Sequence, residues 1–276
     1  MANTYLSFIS DEDLFECIEF LYLEYEKALQ GIDYQKFFKN RIDTFKMTFD
    51  TAINNLNEQS WLAAELQRQV EKTITNHVGT FHEKLIGKIE GFNNYPVGQS
   101  YDVANDDKTI FAEIKNKHNT VTGTHVLSLF EKIKRYADAF PDATCYYVRI
   151  IDTKSRNEIW KFRSGASEPK PLYSHPRIRI ISGDKFYELV TGKQTAFQEL
   201  CEIMPKALQN WISTRNARQG SSMGLFADLY QQSQNNKRTL FEEIIYINYP
   251  LSKYIGFSSD GLEDIDDAQL SSLEEL

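Results

Sequence analysis

The hydrophobic pattern changes period along the chain. From residue 11 to about residue 90, apolar positions recur at helical spacing: Leu14, Phe15, Ile18, Leu21 and Tyr22 follow a Ser10-Asp11 pair suited to capping. Residues 34–55 repeat the pattern, with Phe37, Phe38, Ile42, Phe45 and Phe49 along one stripe that is expected to face a core. A third helix is predicted from Gln59 toward Ile86, with Gly79 as the point where it can break. Gly87, Gly91, Asn93, Asn94, Pro96 and Gly98 then punctuate the sequence. Beyond them, residues 101–105 and 109–117 read as two strands around Asp106-Asp107.

Helical spacing returns over residues 124–140, where Val126, Leu127, Phe130, Ile133, Tyr136 and Ala137 share one face before Pro141. The run TCYYVRII at 144–151 is almost continuously apolar, as expected of a strand buried on both faces. Further strands are predicted at 158–163 and 177–182, and helices at 185–190 and 195–211, the latter carrying Pro205. Residues 215–237 read as partly looped, and 240–246 as a last ordered piece. No internal repeat is visible.

Composition narrows the class. With 276 residues and 41% hydrophobic content, the chain has enough apolar material for a sizeable core. Mean hydropathy is −0.47 and no apolar run reaches membrane-spanning length, so no membrane association is expected. The start, MANTYLSFISDEDLFE, lacks the basic-then-apolar pattern of a secretory signal. Cys17, Cys145 and Cys201 are isolated, which disfavours a disulfide framework or zinc knuckle and points to a reducing cytoplasm.

Charge is unevenly spread. The net charge is −8, yet Asp260–Leu276 holds seven acids and no base, whereas Lys108–Arg218 holds nineteen Lys/Arg against eleven Asp/Glu. A basic middle between acidic ends is compatible with a DNA-facing centre.

The chemistry concentrates in YDVANDDKTIFAEIKNK. If Asp106-Asp107 is a two-residue hairpin loop, Asp102 stands opposite Phe111, and Phe111, Glu113 and Lys115 project on the Asp102 face. Glu113 is then diagonal to Asp102, near enough for both carboxylates to hold one cation, while Val103, Ala112 and Ile114 point into a core. A longer loop with an even number of residues preserves this arrangement; an odd one destroys it. Hydrolysis of a phosphodiester needs such a set: oxygen ligands for a hard cation such as Mg²⁺, and a lysine to orient water or stabilise charge growing on the phosphate. The five histidines lack zinc spacing, Ser221 and Ser222 have no triad partners in view, and there is neither a P-loop nor a GxGxxG.

The order of these parts resembles the PD-(D/E)XK nuclease superfamily. More closely, FHEKLIG (81–87), GQSYDVAN (98–105) and IFAEIKNKHNTVTGTH (110–125) resemble type II restriction endonucleases that cut GGNCC. The resemblance implies an α/β fold with a central mixed sheet flanked by helices, an N-terminal helical region, and Mg²⁺-dependent double-strand cleavage by a homodimer. It also implies a cognate DNA methyltransferase as genetic partner. By position, Asp102 matches the first aspartate, Glu113 the second acid and Lys115 the lysine of the superfamily motif. Glu83 matches an auxiliary acid on the preceding helix that reaches a metal directly or through water. Tyr101 stands where the motif has proline. The expected division is 1–72 helical and packed on the core, 73–213 nuclease core, 214–259 loop and helix, and 260–276 acidic tail.

Guanine O6 and N7 in a GGNCC site call for Arg or Lys in the major groove. Candidates for DNA contact are Lys117, His118 and Asn119 after the catalytic strand, Arg177 and Arg179 with His175, and Arg215, Asn216 and Arg218 in the later loop. Arg177 and Arg179 alternate with Ile178 and Ile180 and so share one strand face. Two other functions remain open at this point: a structure-specific DNA repair nuclease, and a catalytically silent DNA-binding module in which the Asp102–Lys115 pairing merely holds a loop.

Overall fold

The apolar run at 144–151 lies between two parallel neighbours, which is why both of its faces are apolar. In a computed structural model of the chain, described for residues 3–30, 32–95, 101–119, 121, 124–213 and 223–248, a six-stranded sheet is formed. Its strands are β1 (Phe92–Asn94), β2 (Val103–Asn105), β3 (Ile110–Lys117), β4 (Thr144–Ile151), β5 (Asn157–Arg163) and β6 (Leu172–Ser182), in the order β1-β2-β3-β4-β6-β5. The three central strands β3, β4 and β6 are parallel; β1, β2 and β5 join antiparallel at the edges, so the sheet is mixed. The helices are α1 (Asp11–Gln30), α2 (Tyr34–Lys39), α3 (Thr44–Asn54), α4 (Glu58–Ile86), α5 (Thr124–Ala139), α6 (Gly183–Thr191), α7 (Ala196–Ser213), α8 (Met223–Asn235) and α9 (Leu240–Asn248). None is long and apolar enough to cross a membrane.

Strand alternation sorts the sheet's side chains into two cores. Val103, Ala112, Ile114, Tyr146, Val148, Ile150 and Ile181 point to one face, where they meet Leu14 and Ile18 of α1, Phe81 and Leu85 of α4, Phe186 of α6 and Leu200 of α7. Ala104, Phe111, Cys145, Tyr147, Ile178 and Ile180 point to the other, against Leu129, Phe130, Ile133 and Ala137 of α5. Tyr101 packs edge-on against Phe111 and Tyr136 with centroids 4.8 and 5.3 Å away, so this departure from the family pattern fills the second core.

The described residues of Met1–Glu26 and Lys72–Gln219 form one compact unit, and those of Lys27–Glu71 and Gly220–Leu276 another. These bounds differ from the segments drawn on the sequence, because Leu6, Ile9, Leu14, Cys17 and Ile18 are buried in the same core as Phe81, Leu85 and Ile86. The second unit has its own core, built on Phe37, Ile42, Met47, Trp61, Leu62, Leu229, Leu240 and Ile244.

Several local expectations change. Residues 34–55 form two helices, because Asp43 accepts a hydrogen bond from Lys46 N (3.0 Å) and caps a fresh start at Thr44. The phase of the stripe is thereby reset: Met47 is buried, whereas Phe45 and Phe49 are 78% and 62% exposed rather than in the core. Helix α4 runs unbroken through Gly79. Residues 223–235 are helical, β6 begins five residues before the predicted position 177, and β1 occupies part of the stretch read as a loop.

Two glycines give opposite expectations. A Cβ on Gly183, at the junction of β6 and α6, would lie 2.3 Å from Ile150 O, so Gly183→Ala should destabilise by about 1–3 kcal/mol or more. A Cβ on Gly79 meets nothing within 4 Å, so Gly79→Ala in mid-helix should stabilise by about 0.5–1 kcal/mol. Urea midpoints of the two variants should move in opposite directions from the parent.

Candidate metal-binding active site

The hairpin that carries the acids closes through four residues, 106–109, rather than two. Asn105 sets this length. Its side-chain oxygen accepts the N–H groups of Thr109 (2.9 Å) and Ile110 (2.7 Å), and its carbonyl accepts Lys108 N (3.0 Å) while Lys108 takes the left-handed conformation at φ 54°. Val103 therefore pairs with Ala112, and Ala104 with Phe111. The paired register ends at Val103: Asp102 N–H also donates to Ala112 O, so Asp102 stands beside Ala112, one rung from Glu113, instead of opposite Phe111. The loop is still even, so the face assignment survives: Phe111 and Glu113 lie on the α5 side, while Val103, Ala112 and Ile114 lie on the opposite side.

Asp102 is locked by its own strand partner. Its Oδ2 accepts the backbone N–H of Ile114 at 2.7 Å, and its N–H donates to Ala112 O at 3.0 Å. Glu113 is only 6% exposed, a burial that requires cationic partners. It has two: Lys115 Nζ donates to Oε1 at 2.7 Å, and Lys132 Nζ donates to Oε2 at 2.5 Å. The Lys115 ammonium also lies 3.8 Å from Asp102 Oδ2. One cation thus sits between the two carboxylates.

Glu83, near the end of α4, belongs to the same electrostatic group. Burial pushes its carboxyl up to about 7, and the Asp102 and Glu113 charges add to that rise against the opposing pull of Lys115 and Lys132. Burial also raises Asp102, with Glu113 reinforcing it, while Lys115, the Ile114 N–H and Lys132 act in the opposite sense. For Lys115, burial pulls the ammonium down, but Glu113 and Asp102 more than offset it and the net shift is upward. Three acids and two lysines therefore share one charge system. Among the described residues, no three His, Cys, Asp or Glu side chains are gathered around a single point for a metal. The fit to a hard cation rests on the Asp102–Glu113 pair, whose oxygens already converge on one ammonium.

Lys132 was not anticipated from the sequence. It falls within the set Leu129, Lys132, Ile133, Tyr136, the inner stripe of α5. A lysine on such a stripe is the available signal, since it must find an acid at the sheet surface.

The DNA-contact candidates separate. Lys117, His118 and Asn119 are exposed and continue β3 directly beyond Lys115, with His118 N donating to Ile151 O at 3.0 Å. Arg177 donates to Phe140 O (2.7 Å) and Ala143 O (3.1 Å), tying the end of α5 to β6. Arg179 donates to Asn157 Oδ1 (2.6 Å) and to the Asn157 carbonyl (2.5 Å). Arg179 pairs with Tyr146, whose side chain is in the core opposite to Glu113, so its face of the sheet is not that of Glu113 and Lys115. His175 lies 3.8 Å from Asp138. Arg215, Asn216 and Arg218 lie outside the described residues, as does the acidic tail.

A mixed sheet covered by helices on both faces, with an aspartate, a glutamate and a lysine converging at its central hairpin, defines an α/β fold of the restriction-endonuclease type. The family model described as Eco47II restriction endonuclease matches residues 6–213. The chain is 72% identical over 261 residues to the type II restriction enzyme Sau96I of Staphylococcus aureus, covering 93% of this chain and 100% of that protein. It is 38% identical over 225 residues to the type II restriction enzyme Eco47II of Escherichia coli, covering 79% of this chain and 92% of that protein. The chain belongs to the Eco47II restriction endonuclease family, and its class is that of the type II restriction enzymes.

The raised Glu83 carboxyl has a consequence for stability. Glu83 holds its proton up to about pH 7 in the folded protein, against 4.5 for the group without these neighbours. Its contribution is therefore fully present below about 4.5 and lost as pH rises through about 7. The His82 imidazole, lowered to about 4 by burial, contributes the opposite slope between about 4 and 6.5 in parent and variant alike, so the test is the difference. In urea unfolding of the metal-free protein, Glu83→Gln should gain stability relative to the parent as pH rises from 4.5 to about 7. A variant profile parallel to the parent's would contradict the assignment.

Proposed function

We propose that this enzyme hydrolyses both strands of DNA at GGNCC in a Mg²⁺-dependent reaction, acting as a homodimer. The observation that carries the reading is the Lys115 ammonium held 2.7 Å from Glu113 and 3.8 Å from Asp102. A position already adapted to a cation between two carboxylates, beside a basic strand end, suits a phosphodiester and a hard metal ion.

In this reading Asp102 and Glu113 are the metal ligands, with Glu83 as the auxiliary acid that binds directly or through water. Bound Mg²⁺ polarises the phosphoryl oxygen and lowers the pKa of its water. The chain's residues supply the rest. Lys115, held by Glu113, would present its remaining N–H donors to the attacking water and to the oxygen on which charge grows. Lys132 stays on Glu113 Oε2 and fixes that carboxylate's orientation, so that Oε1 faces the substrate. Glu83, whose carboxyl is held up to about 7 by burial and the neighbouring acids, would give up its proton in holding the metal.

The dimer follows from the substrate. A site with two-fold symmetry presents one scissile bond and one GG half-site to each of two identical subunits, and each chain has one Asp102–Glu113 pair. Lys117, His118 and Asn119 are the favoured groove contacts, since they are exposed at the end of the strand that carries the acids. Arg177 and Arg179 are engaged internally and fit positioning roles better. Arg215 and Arg218 remain candidates for phosphate or base contact. A DNA methyltransferase acting on the same sequence is the expected genetic partner. The three free cysteines suit a reducing cytoplasm as the place of action.

Plasmid DNA incubated with purified protein and Mg²⁺ should give discrete fragments whose ends map to GGNCC. EDTA should abolish them, and Glu113→Ala should slow cleavage by about a hundredfold or more. Smeared products, or full activity in Glu113→Ala, would contradict the reading.

A further inference from the structure

Beside Lys115, on the neighbouring strand, lies a cation that the reaction described above does not use. Arg149 of β4 is the register partner of Lys115 of β3, so the two side chains leave the sheet on the same face, about 4.8 Å apart at the backbone. One rung back, Glu113 pairs with Tyr147 in the same way. The Arg149 guanidinium stands over the Tyr147 ring, 4.9 Å from its centroid, which fixes its direction.

Its hydrogen-bonding capacity is unspent. Arg149 Nε is buried and has no hydrogen-bond partner among the described residues. The nearest carboxylate, Asp152, is 3.8 Å from the guanidinium, too far for a hydrogen bond. Asp152 is moreover engaged by Arg156, whose Nε lies 2.9 Å from Oδ2. A buried donor left unpaired is costly, and a guanidinium fork matches a phosphate's two oxygens. The side chain is 21% exposed, so its outer end reaches solvent.

We infer that Arg149 binds a backbone phosphate flanking the scissile one, and so sets the register of the cut strand against Lys115 and the metal ligands. This rests on the nuclease reading above. The rival view is that Arg149 serves only to support Asp152.

Single-turnover cleavage of duplexes carrying one neutral methylphosphonate, at either phosphate flanking the scissile bond, separates these. Each rate is divided by the same enzyme's rate on the unmodified duplex, so a uniform loss of activity cancels. In the parent enzyme, one of the two substitutions should slow cleavage on the order of ten- to a hundredfold. In Arg149→Ala the same substitution should cost no more than about twofold. Arg149→Lys, which keeps a charge but not the fork, should fall between and serves if the alanine variant does not fold. Equal ratios in parent and variants, or no penalty at either position in the parent, would overturn the inference. Failure of the parent to cut the unmodified duplex would instead overturn the nuclease reading itself.

Discussion

Two carboxylates on adjacent rungs of one sheet repel each other, and burial makes that repulsion stronger. The centre of this protein depends on how the repulsion is met. Lys115 reaches back between Asp102 and Glu113, Lys132 comes in from α5, and the Ile114 N–H steadies Asp102 from behind. Even so, burial and the neighbouring acids hold Asp102 and Glu83 above their ordinary values. A set of acids that remains under electrostatic tension with two ammonium groups in attendance is poised to accept a stronger cation. The same features that make the metal-free site uncomfortable make it receptive.

The scaffold keeps that set from relaxing. β3 is paired on both sides, to β2 through the four-residue turn and to β4 in parallel, so Glu113 and Lys115 cannot slip without flipping every apolar residue of the strand to the wrong core. α5 lies against the Glu113 face through Leu129, Phe130, Ile133 and Ala137, which places Lys132 over the acid. α4 contributes Phe81, Leu85 and Ile86 to the other core, which brings Glu83, one helical turn from Gly87, to the edge of the same site. Core packing and site geometry are thus one constraint.

Much of the architecture was legible in the order of residues. Continuous apolar character at 144–151 marked the central strand, and alternation in Val103, Ala112 and Ile114 against Glu113 and Lys115 marked which face was which. The turn was read as two residues and is four, but faces depend only on parity, so Val103 and Ala112 still point one way and Phe111 the other while the register moved by two. Asp102, beyond the paired residues, meets Glu113 through the Lys115 ammonium. The stripe through Phe45 and Phe49 misled because a single capping aspartate, Asp43, restarts the helix and rotates it. Arg177 and Arg179 shared a strand face as expected, yet their donors went to backbone and side-chain oxygens of the protein's own chain.

By itself, the sequence determined which residue types stand within a few positions of one another: two acids and a lysine at strand spacing, set in an apolar strand. That is local information, carried by a period of two and by turn parity, and it is insensitive to distant packing. Tertiary structure alone decided that Lys132, nineteen residues away, would complete the neutralisation of Glu113, and that Arg149 would stand beside Lys115. Those pairings come from a parallel strand register and from the docking of a helix on a sheet. Both are fixed by long-range packing of side chains, which no spacing along the chain records.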